Sequence, residues 1–150
     1  MVSSALSRTA GIYRVIDANL NRAKEGLRVC EEITRFILED KKLTSNFKDL
    51  RHKINSHIKG LDNFSLLIKE RESGKDAGRK LWNESEVKRS GFKDLFSANI
   101  QRVKEAVRVL EEFTKLDDVD IALDLKQIRY DIYELEKKVI KKFSSVLRNR

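Results

Sequence analysis

Apolar side chains recur at helical spacing in four stretches of this 150-residue chain. They predict helices at about 12–39, 43–60, 91–116 and 118–147. In the first helix, positions three and four residues apart form one broad apolar face: Ile16, Leu20, Ala23, Gly26, Leu27, Val29, Cys30, Ile33, Phe36 and Ile37. The second helix has a similar stripe: Leu43, Phe47, Leu50, Ile54, Ile58 and Leu61. Since the chain has no proline to break a helix interior, we predict an all-α fold.

One helical segment occurs twice in the sequence. Ala18–Phe36 and Ala98–Leu116 are identical at ten of nineteen positions. After a slip of two residues, "FKDLRHKI" at 47–54 matches "LKQIRYDI" at 125–132. The repeat therefore covers about 12–60 and 91–147, and "LDD" at 116–118 supplies the expected Asp N-cap of the fourth helix. We predict one domain, 1–150: a pseudo-twofold helical bundle built from a duplicated helix–turn–helix unit.

The segment that connects the two copies, about 61–90, has no duplicate. From about Glu70 to Ser90 it holds two glycines, dense charge and little periodicity, which predicts a long charged loop. Loops of more than ~12 to 15 residues in compact domains are usually functional or disordered. Trp82 and Phe92 flank its far end, and we expect them to anchor it to the core.

Two polar residues, Asn19 and Arg22, fall on the apolar face of the first helix, and Glu25 borders it. The second copy has the same residue types at the matching positions: Asn99, Arg102 and Glu105. An arginine that faces a bundle interior is costly unless it is paired or meets an anion. One interpretation is a buried Arg–Glu–Asn network that fixes helix register. The other is a phosphate or substrate site, because the forked guanidinium matches phosphate geometry.

The other repeated charges project to the opposite, polar face: Lys24, Arg28, Glu31, Arg35, Lys104, Arg108 and Glu111. We expect a solvated ladder of charges spaced three and four residues apart. One observation does not fit that interpretation. Solvated positions are expected to diverge in sequence after a duplication, and these positions have barely diverged. Arg51 borders the stripe of the second helix, and Cys30 is expected to be a small core residue.

Charge and composition narrow the classes of partner. The chain has 32 Lys and Arg against 24 Asp and Glu, a net charge of +8, which suits anionic ligands. Acidic residues are interleaved throughout, so no block is typical of a nucleic-acid arm. No apolar run approaches the ~18 to 20 residues of a membrane span, and the N-terminus lacks a secretory pattern. With a single cysteine, we expect a cytoplasmic protein that binds neither membrane nor nucleic acid.

Known nucleotide and metal motifs are not found in the sequence. The stretch "ERESGKDAGRK" at 70–80 lacks the spacing of a phosphate-binding P-loop, and no cluster of Cys and His suggests a metal site. Single carboxylates are enough for Mg²⁺, however, because that ion takes most of its ligands from water and phosphate.

Four phrases carry a resemblance to a known family: "DANLNRAKEGLRVCEEITRF", "LRHKI", "R-x-x-x-x-D-A-G" at 71–78 and "FSANIQRVKEAVRVLEEFTKL". Together they resemble the helical hydroxymethylpyrimidine-phosphate kinase of thiamine biosynthesis, a domain found alone or fused in front of thiamine-phosphate synthase. The likeness spans nearly the full chain in the same order. Two departures are an Asp-Ala-Gly where the family has Asp-Val-Gly, and an end at Arg150 that leaves no room for a synthase barrel.

The resemblance implies a kinase that uses ATP and Mg²⁺ to convert 4-amino-5-hydroxymethyl-2-methylpyrimidine phosphate to the diphosphate. For that implied chemistry we assign four groups of site residues. Phosphate clamping falls to Arg22, Arg102 and Arg51, and hydrogen bonds to the ring or a phosphate fall to Asn19 and Asn99. Mg²⁺ or the attacking oxygen would be positioned by Asp76, Glu25 or Glu105. The 70–90 loop, with Arg71 and Arg89, would close as a lid.

Two other classes of function stay open. One is a non-catalytic helical module that binds pyrimidine phosphates or thiamine-phosphate synthase. The other is a basic nucleic-acid-binding bundle, whose affinity would fall steeply with salt. A homodimer and a complex with thiamine-phosphate synthase are the two protein assemblies that we keep as expectations.

Overall fold

Six α-helices form the fold in the computed structural model, which describes the backbone of residues 2–148 and the side chains of residues 8–84 and 86–146. Four are long: α1 (Val2–Glu32), α2 (Lys41–Lys59), α5 (Phe92–Thr114) and α6 (Val119–Arg148). Two are short: α3 (Leu66–Lys69) and α4 (Glu84–Val87). Residues 2–148 contain no β-strand, so the all-α prediction is confirmed.

Aspartate caps begin the second helix of each hairpin. The Asp40 carboxylate accepts the backbone N–H of Leu43 at 2.9 Å, and α2 starts at the next residue. The Asp118 carboxylate accepts the N–H groups of Asp120 and Ile121 at 3.0 and 3.2 Å. Each cap satisfies amide hydrogens that a first helical turn leaves free. The prediction of an Asp N-cap from 116–118 is confirmed, and the capping residue is Asp118.

The four long helices form a ring in which each neighbour runs antiparallel to the next. In order around the ring they are α1, α5, α6 and α2. Two side-chain contacts show that α2 and α6 run antiparallel. Asp40, just before α2, lies 3.6 Å from Lys142 near the end of α6, and His57 near the end of α2 lies 3.3 Å from Asp124 near the start of α6. This arrangement is a four-helix bundle, with α1 and α5 as one adjacent pair.

Aliphatic and aromatic side chains fill the centre of the ring. Phe47 and Phe96 meet edge to face with ring centroids 6.1 Å apart. The predicted α2 stripe, from Leu43 to Leu61, is buried throughout. Cys30 is in the same core, where burial raises the pKa of its thiol well above the ordinary value, so it is a packing residue as predicted. No helix within residues 2–148 has both the length and the apolar character needed to cross a bilayer.

The first helix differs from the prediction at both ends. It begins at Val2, ten residues before the predicted start. At its other end the chain continues as a π-helical turn, Ile33–Ile37, in which the N–H of Leu38 donates to Ile33 O at 3.0 Å. The wider turn rotates the side chains that follow it. Phe36, predicted in the core, is therefore 59% exposed, and Ile37 is exposed beside it.

Two repeated acids were wrongly predicted to be solvated. Glu31 is 3% exposed and Glu111 is 2% exposed. Glu31 accepts hydrogen bonds from Arg28 and Arg51, at 2.8 and 3.4 Å. Glu111 is bound in the same way, because it accepts hydrogen bonds from Arg108 at 2.9 Å and Arg129 at 3.2 Å. Burial explains why these positions agree in both copies, while the duplication itself stays a prediction.

The two arginines expected to face the interior are exposed instead. Arg22 and Arg102 both lie outside the buried set, whereas Asn19 is buried and Asn99 is half-buried. Glu25 makes no hydrogen bond or ion pair within the described side chains, so the buried Arg–Glu–Asn register network does not form around it. Both interpretations placed these guanidinium groups too deep, because a long arginine stem reaches from the edge of an apolar face to solvent.

The connecting segment is attached at its start and exposed afterwards. Leu61 and Leu67 are buried, and α3 packs against α1. All described side chains from Arg71 to Lys88 are exposed. Trp82 is 70% exposed and Phe92 is also exposed, so the prediction that they anchor the segment to the core is wrong. The predicted long loop follows α3 and is interrupted by α4 and a short 3₁₀ turn at Ser73–Lys75.

Candidate functional site

A cleft of about 390 Å³ lies between the N-terminal half of α1 and the connecting segment. We call it the α1 cleft. Its lining residues come from two stretches, and they are Gly11, Arg14, Val15, Asp17, Ala18, Asn19, Asn21, Arg22, Arg71, Glu72, Ser73 and Asp76. The predicted site residues Asn19, Arg22, Arg71 and Asp76 meet here. They are separated by up to 57 positions in the sequence, and the turn after α3 brings them together.

Arg71 is fixed in this cleft by a fork of two hydrogen bonds to Asp17. Its Nε and Nη2 donate to the two carboxylate oxygens, each at 2.7 Å. Asp17 is 6% exposed, and the hydrogen bonds that Arg71 donates to its carboxylate raise the pKa of Arg71 further above its usual range. A second, longer contact joins Arg14 to the carbonyl of Glu72 at 3.4 Å. These contacts hold the connecting segment against α1.

Asp17 is the site residue that the sequence analysis missed. The matching residue in the second copy is Ser97, so the two copies differ at this position while their neighbours agree. Arg71 likewise has no counterpart, because the connecting segment is not repeated. The sequence did contain a signal for this contact. An acid that is present in only one of the two copies suggests a partner outside the repeat.

Asn19 and Arg22 form the other wall of the α1 cleft. The Asn19 side chain donates to Val15 O at 2.8 Å, and its own oxygen accepts from Arg22 Nη1 at 3.3 Å. Asn21 donates to Asp17 at 3.5 Å, which links the two walls. Asn19 thereby orients an exposed guanidinium at the mouth of the cleft. Most of the N–H groups of Arg22 remain available to an anion.

Carboxylates of the connecting segment complete the cleft. Asp76 accepts the backbone N–H of Gly78 at 2.8 Å, which orients its carboxylate in a tight turn. Glu72 lies beside it. Nowhere in the described part of the chain do three His, Cys, Asp or Glu side chains form a ready metal site. The donor set nevertheless fits Mg²⁺, because that ion needs one or two carboxylates and takes its other ligands from water and phosphate.

Six predicted site residues lie outside the lining of the α1 cleft. Arg51 is paired with Glu31, and Arg89 donates to the carbonyls of Glu86 and Lys88 at 3.3 and 2.8 Å. The others lie along α1 and α5. Glu25 and Arg102 are exposed, Asn99 donates to Leu95 O at 2.8 Å, and Glu105 accepts from Gln101 at 3.2 Å. The structure therefore does not join the second copy's Asn–Arg–Glu set to the first.

Comparison with known proteins identifies relatives for most of this chain. Residues 14–138 match the ThiD2 family. A thiamine-phosphate synthase of Nostoc punctiforme is 40% identical over 129 residues, which are 86% of this chain and 35% of the relative. A thiamine-phosphate synthase of Synechocystis sp. is 42% identical over 125 residues, 83% of this chain and 35% of the relative. One from Rhodopirellula baltica is 38% identical over 142 residues, 92% of this chain and 37% of the relative.

These relatives are much longer than this chain, so their name describes proteins of which this chain matches only one part. This chain spans about a third of each of them. No solved structure gives a significant match. The matched region includes the whole lining of the α1 cleft except Gly11.

Proposed function

This chain belongs to the ThiD2 family, and from that premise we propose that it acts in thiamine biosynthesis as a kinase. The reaction would transfer a phosphoryl group from ATP to 4-amino-5-hydroxymethyl-2-methylpyrimidine phosphate, which yields the diphosphate. The name of the relatives supports the pathway, and the chemistry of the α1 cleft supports the reaction type.

The single observation that carries the proposal is the concentration of guanidinium groups in the α1 cleft. Arg14, Arg22 and Arg71 all line it, and two asparagines lie between them. Phosphoryl transfer depends mostly on positioning and on neutralising charge on polyanionic substrates. Fixed arginines provide both, because each presents parallel N–H donors to phosphate oxygens.

The chemistry of the acceptor explains why the cleft needs no strong base. The attacking atom is an oxygen of a phosphate monoester, which is largely ionised at neutral pH because its second pKa is about 6. The new P–O bond forms from that oxygen as the bond between the γ-phosphorus and the β–γ bridging oxygen of ATP breaks. No proton has to be removed from the nucleophile. The enzyme must instead hold two anions close together.

Each residue of the α1 cleft then has a defined task. Arg22 would bind a phosphate at the mouth, with Asn19 holding its guanidinium in place. Arg71, fixed by Asp17, would present its remaining N–H groups to the other substrate. Glu72 and Asp76 would hold Mg²⁺, which supplies further positive charge to the phosphates when it is bound. Closure of the 70–90 segment would exclude water.

The test is direct turnover with purified protein. ATP, Mg²⁺ and the pyrimidine monophosphate are mixed with the protein, and ³¹P NMR follows the appearance of the diphosphate. Arg22→Ala should lower kcat/KM by about 10²-fold, the usual effect of losing one donor to a charge in the transition state. Arg102→Ala is the matched control, because it removes the equivalent exposed arginine of the second copy. It should leave kcat/KM within about twofold.

The outcomes separate the hypotheses. Equal losses from Arg22→Ala and Arg102→Ala would reject the α1 cleft as the site. No product from folded wild-type protein would reject the kinase. In that case binding of the pyrimidine monophosphate, measured by calorimetry and lost in Arg22→Ala, would support the non-catalytic module. That module is the second candidate because the relatives are named thiamine-phosphate synthase and this chain spans about a third of them.

A further inference from the structure

A second cleft, of about 560 Å³, lies between the C-terminal part of α5 and the N-terminal part of α6. We call it the α5–α6 cleft. It shares no residue with the α1 cleft, and its lining residues are Arg108, Glu111, Lys115, Val119, Ala122, Leu123, Lys126, Arg129 and Tyr130. The proposed kinase mechanism uses none of them. Its volume is within the range typical of small-molecule sites.

Positive charge dominates this cleft. Four cations line it against one carboxylate, that of Glu111. Glu111 is already bound by two of the cations, Arg108 and Arg129. Lys115 is paired with Glu112 at 2.7 Å, which leaves Lys126 as an exposed ammonium with no ion-pair partner among the described side chains. An anion that entered the cleft would meet an excess of positive charge.

Aromatic and apolar side chains form the rest of the lining. Val119, Leu123 and Tyr130 are exposed on one face of α6, and Tyr133 extends that face. The Arg129 guanidinium lies over the rings of Tyr130 and Tyr133, 5.3 and 5.8 Å from their centroids. Its Nη1 also donates to the Tyr133 hydroxyl at 3.0 Å. The tyrosines are therefore held in place while much of their surface stays open to solvent.

Comparison with the first half of the chain shows that this lining is specific to the second half. The charged frame is the same in both halves, because Arg28, Glu31 and Arg51 match Arg108, Glu111 and Arg129. The apolar positions are not the same. Where the second half has Val119, Leu123, Tyr130 and Tyr133, the first half has Lys41, Ser45, His52 and Asn55. Core packing does not require the change, since the four side chains of the second half are exposed.

We infer that the α5–α6 cleft is a binding site for a flat aromatic ring that carries a phosphate group, separate from the α1 cleft. The ring would pack on Leu123 and Tyr130, and its phosphate would bind Lys126 and the free N–H groups of Arg129 and Arg108. Base–aromatic stacking and charge-assisted hydrogen bonds are the two interactions that such ligands need. This inference does not depend on the kinase proposal.

Tyrosine-ring NMR can test the inference with ADP as the probe, in the absence of Mg²⁺. The chain has three tyrosines. Tyr130 and Tyr133 report on the α5–α6 cleft, while Tyr13 is buried in the core and serves as an internal control whose ring signals should not shift. ADP should shift the ring signals of Tyr130 and Tyr133 in a saturable way. Pyrophosphate, which has no ring, and adenosine, which has no phosphate, should each bind at least tenfold more weakly.

A matched pair of variants identifies the cation. Lys126→Glu should weaken ADP binding by about tenfold or more, as expected for the loss of a charged hydrogen bond. Lys48→Glu makes the same change at the equivalent exposed position of the first half and should leave the affinity within twofold. Tyr130→Ala, followed through Tyr133, should weaken binding by about tenfold because one stacking surface is lost.

Three results would overturn the inference. These are unchanged Tyr130 and Tyr133 signals at millimolar ADP, equal binding of pyrophosphate and ADP, and equal effects of Lys126→Glu and Lys48→Glu. The kinase test follows product formation and the Arg22→Ala variant, neither of which involves the α5–α6 cleft, so failure here leaves the kinase test unaffected.

Discussion

A buried carboxylate loses its hydration and needs cations to offset that loss. Glu31 and Glu111 each obtain two, one from their own helix and one from the partner helix of the hairpin. Each acid thereby joins two antiparallel helices at a fixed register. A threonine supports each turn as well, because Thr34 and Thr114 donate to the Glu31 and Glu111 carbonyls at 2.9 and 3.2 Å.

Removing one of these buried charges should destabilise the bundle. Glu111→Gln keeps the shape of the side chain but leaves Arg129, whose side chain is 13% exposed, without its counter-charge. We expect the free energy of unfolding, measured with urea, to fall by about 2–3 kcal/mol. Glu31→Gln should have a similar effect, because Glu31 also accepts hydrogen bonds from one arginine of its own helix and one of the partner helix.

The neighbouring acid provides the control for this prediction. Glu112 also contacts Arg108 and Lys115, but its side chain is 44% exposed. Glu112→Gln should therefore change stability little, because solvent screens an exposed ion pair. Similar small effects at both positions would contradict the view that burial makes Glu111 important.

At the residue level, the sequence indicated which residues are constrained better than it indicated how deeply their side chains are buried. Repetition marked Glu31, Arg51 and their counterparts as constrained, but helical periodicity alone placed the acids on a solvated face. Periodicity describes one helix at a time, and α2 covers part of the face that was expected to be open. Asp17 was missed for a related reason: its partner Arg71 is 54 positions away, in a segment without regular structure.

At the scale of the elements, α1 and α5 pack tightly against each other at a glycine. A methyl group on Gly26 would lie 2.6 Å from Val103 Cγ2 and 3.2 Å from Asn99 O. The second half solves the same crossing differently, because Ala106 and Ala23 occupy the matching positions. The matching positions therefore hold Ala and Ala where this crossing holds Gly and Val. The sequence showed the exchange, but only the structure shows that Gly26 meets Val103.

Gly26→Ala should therefore destabilise the protein although alanine favours helices. The clash with Val103 should cost about 1–3 kcal/mol, which outweighs a helix-propensity gain of about 1 kcal/mol. Adding Val103→Ala removes Cγ2, the closer of the two atoms, and leaves only the contact with Asn99 O at 3.2 Å. The double variant should accordingly be more stable than the sum of the two single changes predicts, in a urea double-mutant cycle.

Gly11→Ala is the matched control for this change in α1. A methyl group at Gly11 has no heavy atom within 4 Å, so only the propensity gain remains. The free energy of unfolding should rise by up to about 1 kcal/mol. Destabilisation at both glycines would mean that something other than the α1–α5 contact governs the effect.

The ends of the elements were the least predictable part of the fold. The start of α1 was placed ten residues late, because the residues before Gly11 lack a clear apolar stripe. The π turn at Ile33–Ile37 cannot be recognised from periodicity, since it shifts the phase within a single turn. Caps were more predictable, because an aspartate before an apolar stripe has a specific physical role, as Asp118 shows.

At the scale of the whole molecule, the candidate site lies where the two halves differ. The α1 cleft needs the part of α1 around Gly11 and Arg14, Asp17 and the connecting segment. The second half has Gly91 at the very start of α5, Ser97 in place of Asp17, and no equivalent of Arg71.

The connecting segment spans a long distance along the bundle. It leaves Arg71 beside Asp17 and reaches Phe92 beside Ile37, and the twenty residues from Asp17 in α1 to the end of the π-helical turn correspond to about 30 Å.

Replacing the exposed part of the connecting segment can show whether this part contributes to the stability of the bundle or to activity. Residues 77–88 are replaced by a Gly/Ser sequence of equal length, which keeps the reach and retains Arg71, Glu72, Ser73 and Asp76. Since the described side chains in this stretch are exposed, Tm from circular dichroism should change by less than about 3 °C. If the segment closes over the α1 cleft, kcat in the kinase assay should fall at least about tenfold.

Leu67→Ala is the control within the same connecting segment, because its side chain is buried against α1. It should lower the free energy of unfolding by about 2–5 kcal/mol and therefore lower Tm by several degrees. An unchanged kcat after replacement of 77–88 would reject the lid and leave the fixed residues 71–76 as the whole contribution of the segment. A large fall in Tm would instead mean that the exposed stretch supports the bundle, and then a loss of activity could not be assigned to closure.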